Sequence, residues 1–291
     1  MATGNKIKVT LSHIDPHLKL NESNSCHLSI QIGLDRFSFA ILNLEKQKYI
    51  ALEYYDIQNI NTSNDLANKI DQIIAHQKLL LQNFASTSIA IADTLNTLTP
   101  ETLYSKSNGK EILQFNHPVL QGENESRDWL ASLKVYNSYV IPEALERCFN
   151  KNFPKAIWKH DSSILIESLI QQFKLQEGEK VYLSIQNNYF ELTVLQGRKL
   201  RFFNSFSYKT ATDLLYYLLF TFEQLNINPD QIPLVLLGEI EKESEVYKLL
   251  YRYVRHIDFT KRNPNYKYSF VFDEVKEHHY YKLLNQHLCA S

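Results

Sequence analysis

Hydrophobic and polar residues alternate along two stretches of the chain, and both stretches predict the same succession of elements. In the first stretch, an alternating run opens at residues 28–31 and returns after a polar turn at 45–47, which predicts antiparallel strands. Thr62 then opens a Thr-x-x-Asp sequence that precedes apolar residues at helical spacing, and a short apolar run follows at 88–92. The predicted order is three strands, a helix and a further strand.

The same order returns in the second half of the chain. The tetrapeptide Leu-Ser-Ile-Gln of residues 28–31 recurs at 183–186, and a turn at 197–198 leads into a returning strand. Thr210 repeats the Thr-x-x-Asp-Leu start before a second helix, and the next apolar strand ends at Gly238. The shared order favours a duplication with a long period, although any two α/β units have some likeness.

Polar residues mark the boundary between the two copies. The run around 176–180 separates them, so we predict a first domain over residues 1–176 and a second over 177–291. Residues 106–127 hold two glycines and Pro118, which predicts an irregular insertion. Apolar residues after Glu274 predict a final helix over 274–288 that packs back on the first domain.

Composition places the chain among ordinary globular proteins. Hydrophobic residues make up 44% of it, and the formal net charge of -1 gives no global field that would attract nucleic acid or an anionic membrane. The three cysteines have neither metal-ligand spacing nor the pattern of a disulfide framework. With no signal-peptide pattern at the start and no apolar run long enough to cross a bilayer, we expect a cytoplasmic protein without membrane insertion.

Catalytic and phosphate-binding motifs are scarce. The chain has only 7 glycines and contains neither a Walker loop nor a Gly-x-Gly-x-x-Gly turn. His160, Asp161 and Ser162 have the composition of a hydrolytic triad, but no Gly-x-Ser-x-Gly elbow accompanies them. Helix capping explains Asp161 and its neighbouring serines better.

The ends of the first strand of each copy carry the most informative residues. The sequences are Gln-Ile-Gly at 31–33 and Gln-Asn-Asn at 186–188, and a glycine turn follows the later strand at Gly238. This plan resembles the actin-like ATPase superfamily with its ribonuclease H-like domains, and the whole chain looks like an uncharacterised bacterial family with that fold. Its nearest functional relatives by plan are the pilus-assembly and secretion members. The resemblance implies two duplicated α/β domains around a central cleft, each a mixed five-stranded sheet flanked by helices.

The departures from that superfamily bear on the mechanism. Working members have Asp-x-Gly at both strand ends, whereas Gln31 and Gln186 carry no charge to hold Mg²⁺ beside a nucleotide. Asp35 is near enough to take over a metal contact, or it caps the turn. The two glutamines are also explained as ordinary polar strand ends if the fold is different. The resemblance implies a vestigial, pseudo-ATPase site at Gln31, Gly33, Asp35, Gln186, Asn187, Asn188 and Gly238.

We therefore expect a non-catalytic scaffold or assembly protein that binds a protein partner or forms a homodimer, with no metal and no cofactor. A nucleotide-binding switch that binds ATP with little or no hydrolysis is the first alternative. Nucleic-acid binding is the second, through a basic and aromatic segment at 247–268. A solvated helix followed by a basic loop is the simpler explanation of that segment. Its candidate contact residues are Arg252, Arg255, Lys261 and Arg262.

Overall fold

The computed structural model describes residues 9–105, 109–117, 121–175 and 177–289. Strands dominate these residues. In chain order they are β1 (Leu11–Ile14), β2 (Cys26–Gly33), β3 (Arg36–Asn43), β4 (Lys48–Asp56), β5 (Ser86–Ala92), β6 (Asn96–Pro100), β7 (Glu123–Leu130), β8 (Val135–Pro142), β9 (Ile157–His160), β10 (Glu179–Ile185), β11 (Tyr189–Gln196), β12 (Lys199–Ser207), β13 (Pro233–Gly238), β14 (His256–Phe259) and β15 (Lys267–Tyr268).

Helices connect the strands or cover the sheets. The α-helices are α1 (Ser63–His76), α2 (Gly109–Asn116), α3 (Glu143–Asn152), α4 (Asp161–Gln172), α5 (Ala211–Gln224), α6 (Glu245–Tyr253) and α7 (Gln286–Cys289). Short 3-10 turns occur at Leu20–Ser25, Phe270–Phe272 and Leu283–Asn285. None of the helices in the described part of the chain is both long and apolar enough to span a membrane.

The chain forms two compact units, and both are discontinuous in sequence. The first comprises residues 1–164, 264–274 and 282–291, and the second comprises 165–263 and 275–281. The polar run in the sequence instead predicts one boundary after residue 176, a position that lies outside the described residues. The division differs because the last part of the chain returns to the first unit, a long-range event that no local polar run signals.

The first unit contains a mixed sheet of seven strands. Their order is β1-β4-β3-β2-β5-β9, and β15 pairs with β4 in addition. The strands β2, β3 and β4 are antiparallel, whereas β5 and β9 continue from β2 in parallel. A separate three-stranded sheet has the order β6-β8-β7. The first sheet is therefore larger than the five strands expected, because β1 and β15 extend it beyond β4.

The second unit repeats the core of the first. Its five strands have the order β12-β11-β10-β13-β14, with antiparallel pairing through β10 and parallel pairing beyond it. This matches β4-β3-β2-β5-β9 strand for strand and direction for direction. The repeated order that the sequence shows thus corresponds to a repeated topology.

The central strands of both sheets, β2 with β3 and β10 with β11, are buried along almost their whole length. Their polar residues are buried together with the apolar ones. In β2, every residue from Cys26 to Gly33 is buried. The polar side of this sheet faces the last residues of the chain: Tyr49 donates its hydroxyl to the Leu284 carbonyl at 2.7 Å, and Gln286 donates to the Ile30 carbonyl at 3.0 Å. The C-terminal residues thus satisfy polar groups that would otherwise face solvent or be buried without partners.

Two local expectations are corrected. The segment 106–127 is not simply irregular, because α2 and the start of β7 form within it, although 106–108 and 118–120 (including Pro118) lie outside the described residues. The final helix over 274–288 does not form. A succession of turns leads to Leu283–Asn285 and the four-residue α7, and Tyr280 has a φ of 54°, which interrupts any continuous helix.

Candidate functional site

Gln31 lies near the carboxyl end of β2 in the first unit and uses both ends of its amide within the protein. Its Nε2 donates to Asp161 Oδ1 at 2.7 Å, and its Oε1 accepts from Ser38 Oγ at 3.4 Å. The residue is 8% exposed. Its amide is therefore a structural bridge between β2, β3 and the first residue of α4.

Asp161 and Lys282 form a buried ion pair at the same place. The Lys282 ammonium contacts Asp161 Oδ2, and their side chains are 4% and 1% exposed. Asp161 thus accepts a hydrogen bond from the Gln31 amide on Oδ1 and pairs with the Lys282 ammonium through Oδ2. The sequence analysis assigned Asp161 to helix capping and did not single out Lys282, because no local pattern connects residues so far apart in the chain.

Arg36 covers the glycine of the first turn. A Cβ on Gly33 would lie 2.9 Å from both Arg36 Cγ and Nε, so the arginine stem packs directly on the Gly33 Cα atom. Arg36 is 4% exposed, and its Nε lies 3.2 Å from Asp35 Oδ1. Asp35 is therefore paired with a neighbouring cation. The arginine therefore closes the side of Gly33 on which a Cβ would stand.

The corresponding turn of the second unit is a tight hairpin between β10 and β11. The Gln186 N–H donates to the Tyr189 carbonyl at 2.9 Å, and the Tyr208 hydroxyl donates to the Gln186 carbonyl at 2.7 Å. Asn187 and Asn188 are exposed, and neither is among the residues with positive φ in the described chain. This backbone consequently has no conformational requirement for glycine, so asparagine is accommodated without strain.

Gly238, at the end of β13, is required by packing. Its φ is +90°, and a Cβ there would lie 2.2 Å from the Ile185 carbonyl oxygen. Its N–H donates to the His278 carbonyl at 2.9 Å. The backbone donor of this glycine turn is thus already used within the second unit.

His278 is fixed above the same turn. It is 7% exposed, and its Nε2 donates to the Ile240 carbonyl at 2.8 Å. Burial lowers its pKa to about 4, so the imidazole is neutral at pH 7. The neighbouring His279 lowers the pKa of His278 further. Among the described residues, no three or more side chains that could bind a metal come together.

The side chains present at these positions do not fit a magnesium–nucleotide complex. Mg²⁺ at a nucleotide is held by one or two free carboxylates together with the phosphates. Here the buried carboxylate of Asp161 is neutralised by an ammonium of the protein itself, and Gln31 donates to it. In the second unit, the Gly238 N–H donates to a main-chain carbonyl rather than facing a free space.

A serine, a histidine and an aspartate do assemble around His160 inside the protein, but the aspartate is Asp93 and not Asp161. His160 Nδ1 lies 2.7 Å from Ser162 Oγ, and His160 Nε2 lies 3.1 Å from Asp93 Oδ1. Ser162 is fully buried, and its hydroxyl also accepts from Asn137 Nδ2 at 3.0 Å. A nucleophile needs access to its substrate, so this arrangement is a buried hydrogen-bond network.

The basic and aromatic segment is divided between the two units. Arg252 and Arg255 are exposed at the end of α6, whereas Arg262 donates to the Val275 carbonyl. Lys261 is exposed and its carbonyl accepts from the Gln172 side chain at 3.3 Å. The aromatic residues further along belong to the first unit, where Tyr266 and Tyr268 pack on Tyr49. The basic and aromatic residues that alternate over 247–268 in the sequence are therefore not all part of the same unit.

Comparison with solved structures identifies the class of fold. A Bacteroides thetaiotaomicron protein with an actin-like ATPase fold and unknown function matches with a TM-score of 0.75 at 22% identity, over 86% of this chain and 95% of that one. The type IV pilus biogenesis complex PilM–PilN matches with a TM-score of 0.57 at 11% identity, over 91% and 98% of the two chains. The protein has an actin-like ATPase fold, which confirms the expected α/β class.

The family follows from the sequence. Residues 15–257 match the model of a family described as protein of unknown function (DUF3822), and the chain belongs to that family. Among curated proteins, none matches the chain by sequence. The fold and the family thus agree with the resemblance to an uncharacterised actin-like family, and neither assigns an activity.

Proposed function

We propose that this protein is a non-catalytic scaffold or assembly protein that uses the actin-like fold to bind another protein or a second copy of itself. The observation that supports this most strongly is the bridge from Gln31 to Asp161 and Lys282. Where an ATPase needs a carboxylate free to hold a metal, the chain supplies its own cation and its own amide.

A structural neighbour supports the second half of the proposal. PilM, whose fold this chain shares, has been solved in a complex with PilN that is described as part of type IV pilus biogenesis. An actin-like fold can therefore act through a protein partner. We extend that mode of action to this chain, with the partner's identity open to experiment.

Phosphate release from Mg-ATP by the purified full chain tests the proposal. We expect no release above the buffer blank, and no change in the melting temperature at millimolar ATP or ADP, because Asp161 is paired with Lys282 and Asp35 with Arg36. Phosphate release that is lost in both Gln31→Ala and Asp35→Asn would refute it. Release that persists unchanged in both variants indicates a contaminating ATPase.

Nucleotide binding without turnover is the outcome that favours the first alternative. A melting-temperature increase with ATP that does not require Mg²⁺ would define a nucleotide switch rather than a scaffold. Light scattering on the same sample measures the mass of the species in solution. A dimer supports a second copy as the partner, whereas a monomer directs the search to a different protein.

A further inference from the structure

A surface cavity lies in the first unit at the opposite end of the seven-stranded sheet from Gln31. Its volume is about 200 Å³. It is formed where β2 begins, β3 ends and β4 begins, and the 3-10 turn at Leu20–Ser25 closes one side. Polar and apolar side chains both line it, and the apolar part of the lining is made by Leu18, Cys26, Ile41, Ile50, Leu79 and Phe84.

Asn43 presents an amide donor to this cavity. The residue is 6% exposed, and its Oδ1 accepts from the Lys46 N–H at 2.8 Å, which fixes the orientation of the amide. Among the described side chains, no partner contacts its Nδ2. The Nδ2 atom is not fully buried, so it is reachable from the cavity and can donate to a ligand there.

Positive charge surrounds the same side of the cavity. Lys46 is exposed at the rim, and Lys48 at the start of β4 is half-buried. The carboxylates nearby are already used. Asp15 accepts from Ser269 Oγ at 2.7 Å and lies 3.4 Å from Lys48 Nζ, while Glu22 pairs with Lys19 at 3.5 Å.

The size of the cavity limits the apolar part of a ligand. An enclosed apolar cavity of roughly 150 Å³ holds benzene, whereas drug-sized ligands occupy about 300–1,000 Å³. The cavity therefore suits a single aromatic ring or a short branched chain. Asn43 and Lys46 then suit an anionic oxygen group carried by that ring or chain, since charge-assisted hydrogen bonds orient carboxylates strongly.

We propose that this cavity is a binding site for an apolar group of about one aromatic ring that carries a carboxylate. Its apolar part packs on Ile41, Ile50 and Phe84, and its carboxylate accepts from Asn43 Nδ2 and the Lys46 ammonium. The free C-terminal residue of a partner protein and a small arylalkanoic acid share this chemistry. The first source rests on the proposed scaffold function; the second is independent of it.

Calorimetric titration of the full chain tests the site with defined probes. The probes are 3-phenylpropionate, the neutral 3-phenylpropan-1-ol, a hexapeptide ending in phenylalanine, and the same peptide with its C-terminal carboxamide. We expect the acid to bind at least about tenfold more tightly than the alcohol, and the free peptide more tightly than the amide by a similar factor. Tighter binding of the peptide than of the free acid indicates a partner's C-terminus, and the reverse order indicates a small acid.

Two variants connect binding to the named residues. Asn43→Asp keeps the oxygen that accepts from Lys46 N–H but removes the donor and adds a negative charge, and Lys46→Gln removes the rim cation. We expect each to weaken binding of the acid by about tenfold, whereas Lys155→Gln, an exposed lysine away from the cavity, has no effect. Thermal melts verify that all three fold.

Three binding results would each overturn the proposed site. Absence of binding by every acid at millimolar concentration, or equal binding of acid and alcohol, would overturn the proposal, as would unchanged binding in Asn43→Asp. None of these results bears on phosphate release from ATP, so failure of this site and failure of the proposed function are separate outcomes.

Discussion

At the scale of single residues, the ion pair between Lys282 and Asp161 is the most informative contact in the first unit. A buried charge is tolerated only when it is paired and hydrogen-bonded, and Asp161 has both an ammonium and an amide donor. The pair lies beside Gln31, the position at which the resemblance to the actin-like ATPases implies an aspartate. The protein therefore stabilises this position internally.

Replacing Lys282 by methionine should expose the cost of that arrangement. Lys282→Met leaves the Asp161 carboxylate buried without its cation, so we expect the free energy of unfolding in urea to fall by about 3–5 kcal/mol. The double variant Asp161→Asn/Lys282→Met keeps the bond from Gln31 and removes both charges. It should recover a large part of the loss, and a double variant no more stable than Lys282→Met would contradict this account.

Gly238 provides the second residue-scale prediction. Gly238→Ala places a Cβ 2.2 Å from the Ile185 carbonyl oxygen at a φ of +90°, so clash and backbone strain act together. We expect the free energy of unfolding to fall by about 2–4 kcal/mol. Gly178→Ala is the matched control, because its φ is +83° with no atom within 4 Å of the added Cβ, and it should cost about 1 kcal/mol. Equal losses in the two variants would show that the Ile185 contact is unimportant.

At the scale of elements, the helices that follow the two three-stranded ladders begin in the same way. In both, a threonine side chain accepts from the N–H three residues on, and the aspartate there bonds back to the threonine N–H, at Thr62 with Asp65 and at Thr210 with Asp213. The sequence pattern Thr-x-x-Asp-Leu predicts both starts, and both are confirmed. Such caps are local, because all their partners lie within three residues.

Removal of the second cap should destabilise the protein measurably. Thr210→Ala loses the side-chain acceptor for the Asp213 N–H, and we expect the free energy of unfolding to fall by about 1 kcal/mol. Thr210→Ser keeps an acceptor at the same place and should retain most of the stability. Thr212→Ala, an exposed change in the first turn of the same helix, controls for helix propensity. A loss in Thr212→Ala as large as that in Thr210→Ala would argue against the cap.

Most strands of the two repeated sheets, like the two helix starts, can be predicted from the sequence. The alternating runs locate β2 to β4 and β10 to β12, since period-two patterns arise from the geometry of a strand itself. The strands β1 and β15 were missed because they are short and gain their stability by pairing with β4, which local sequence does not record. The helix expected over 274–288 failed for the same reason: its apolar residues are distributed to long-range contacts.

At the scale of the whole molecule, the C-terminal residues contribute to both units, each in its own way. Residues 275–281 belong to the second unit, where the His278 carbonyl accepts from Gly238 N–H. Residues 282–291 belong to the first, where Lys282 pairs with Asp161. There the Gln286 Oε1 accepts from Ser88 Oγ, and its Nε2 donates to the Ile30 carbonyl of β2. Stability thus depends on contacts between residues that are distant in sequence.

Acid should destabilise the protein through its buried histidines. Burial lowers the pKa of His27 to about 3 and that of His278 to about 4, both below the ordinary value of 6.5. Between pH 6.5 and 4 these two histidines are protonated in the unfolded chain but remain neutral in the folded chain, so the free energy of unfolding rises with pH in this window. We expect the free energy of unfolding to decrease from pH 7 to pH 4, by up to about 1.4 kcal/mol per pH unit for each histidine.

A single substitution checks the assignment. His278→Gln should make the decrease with falling pH shallower by up to about 1.4 kcal/mol per pH unit, whatever its effect on stability at pH 7. The exposed His76→Gln is the matched control for the exchange of imidazole for amide. An identical pH dependence in wild type and His278→Gln would show that this histidine is not held neutral by the fold.

The sequence by itself determined the two repeated sets of elements and their order, because hydrophobic period, turn residues and helix caps act over a few residues. It also indicated, through Gln31, Gln186 and the asparagine turn, where an ATPase would differ. Only the tertiary structure decided what occupies those positions. Arg36 packs on Gly33, Lys282 neutralises Asp161, and the His278 carbonyl accepts from Gly238. These contacts depend on which strands pair and where the last residues of the chain return, and the free energy that selects them is gained only when the complete units are packed.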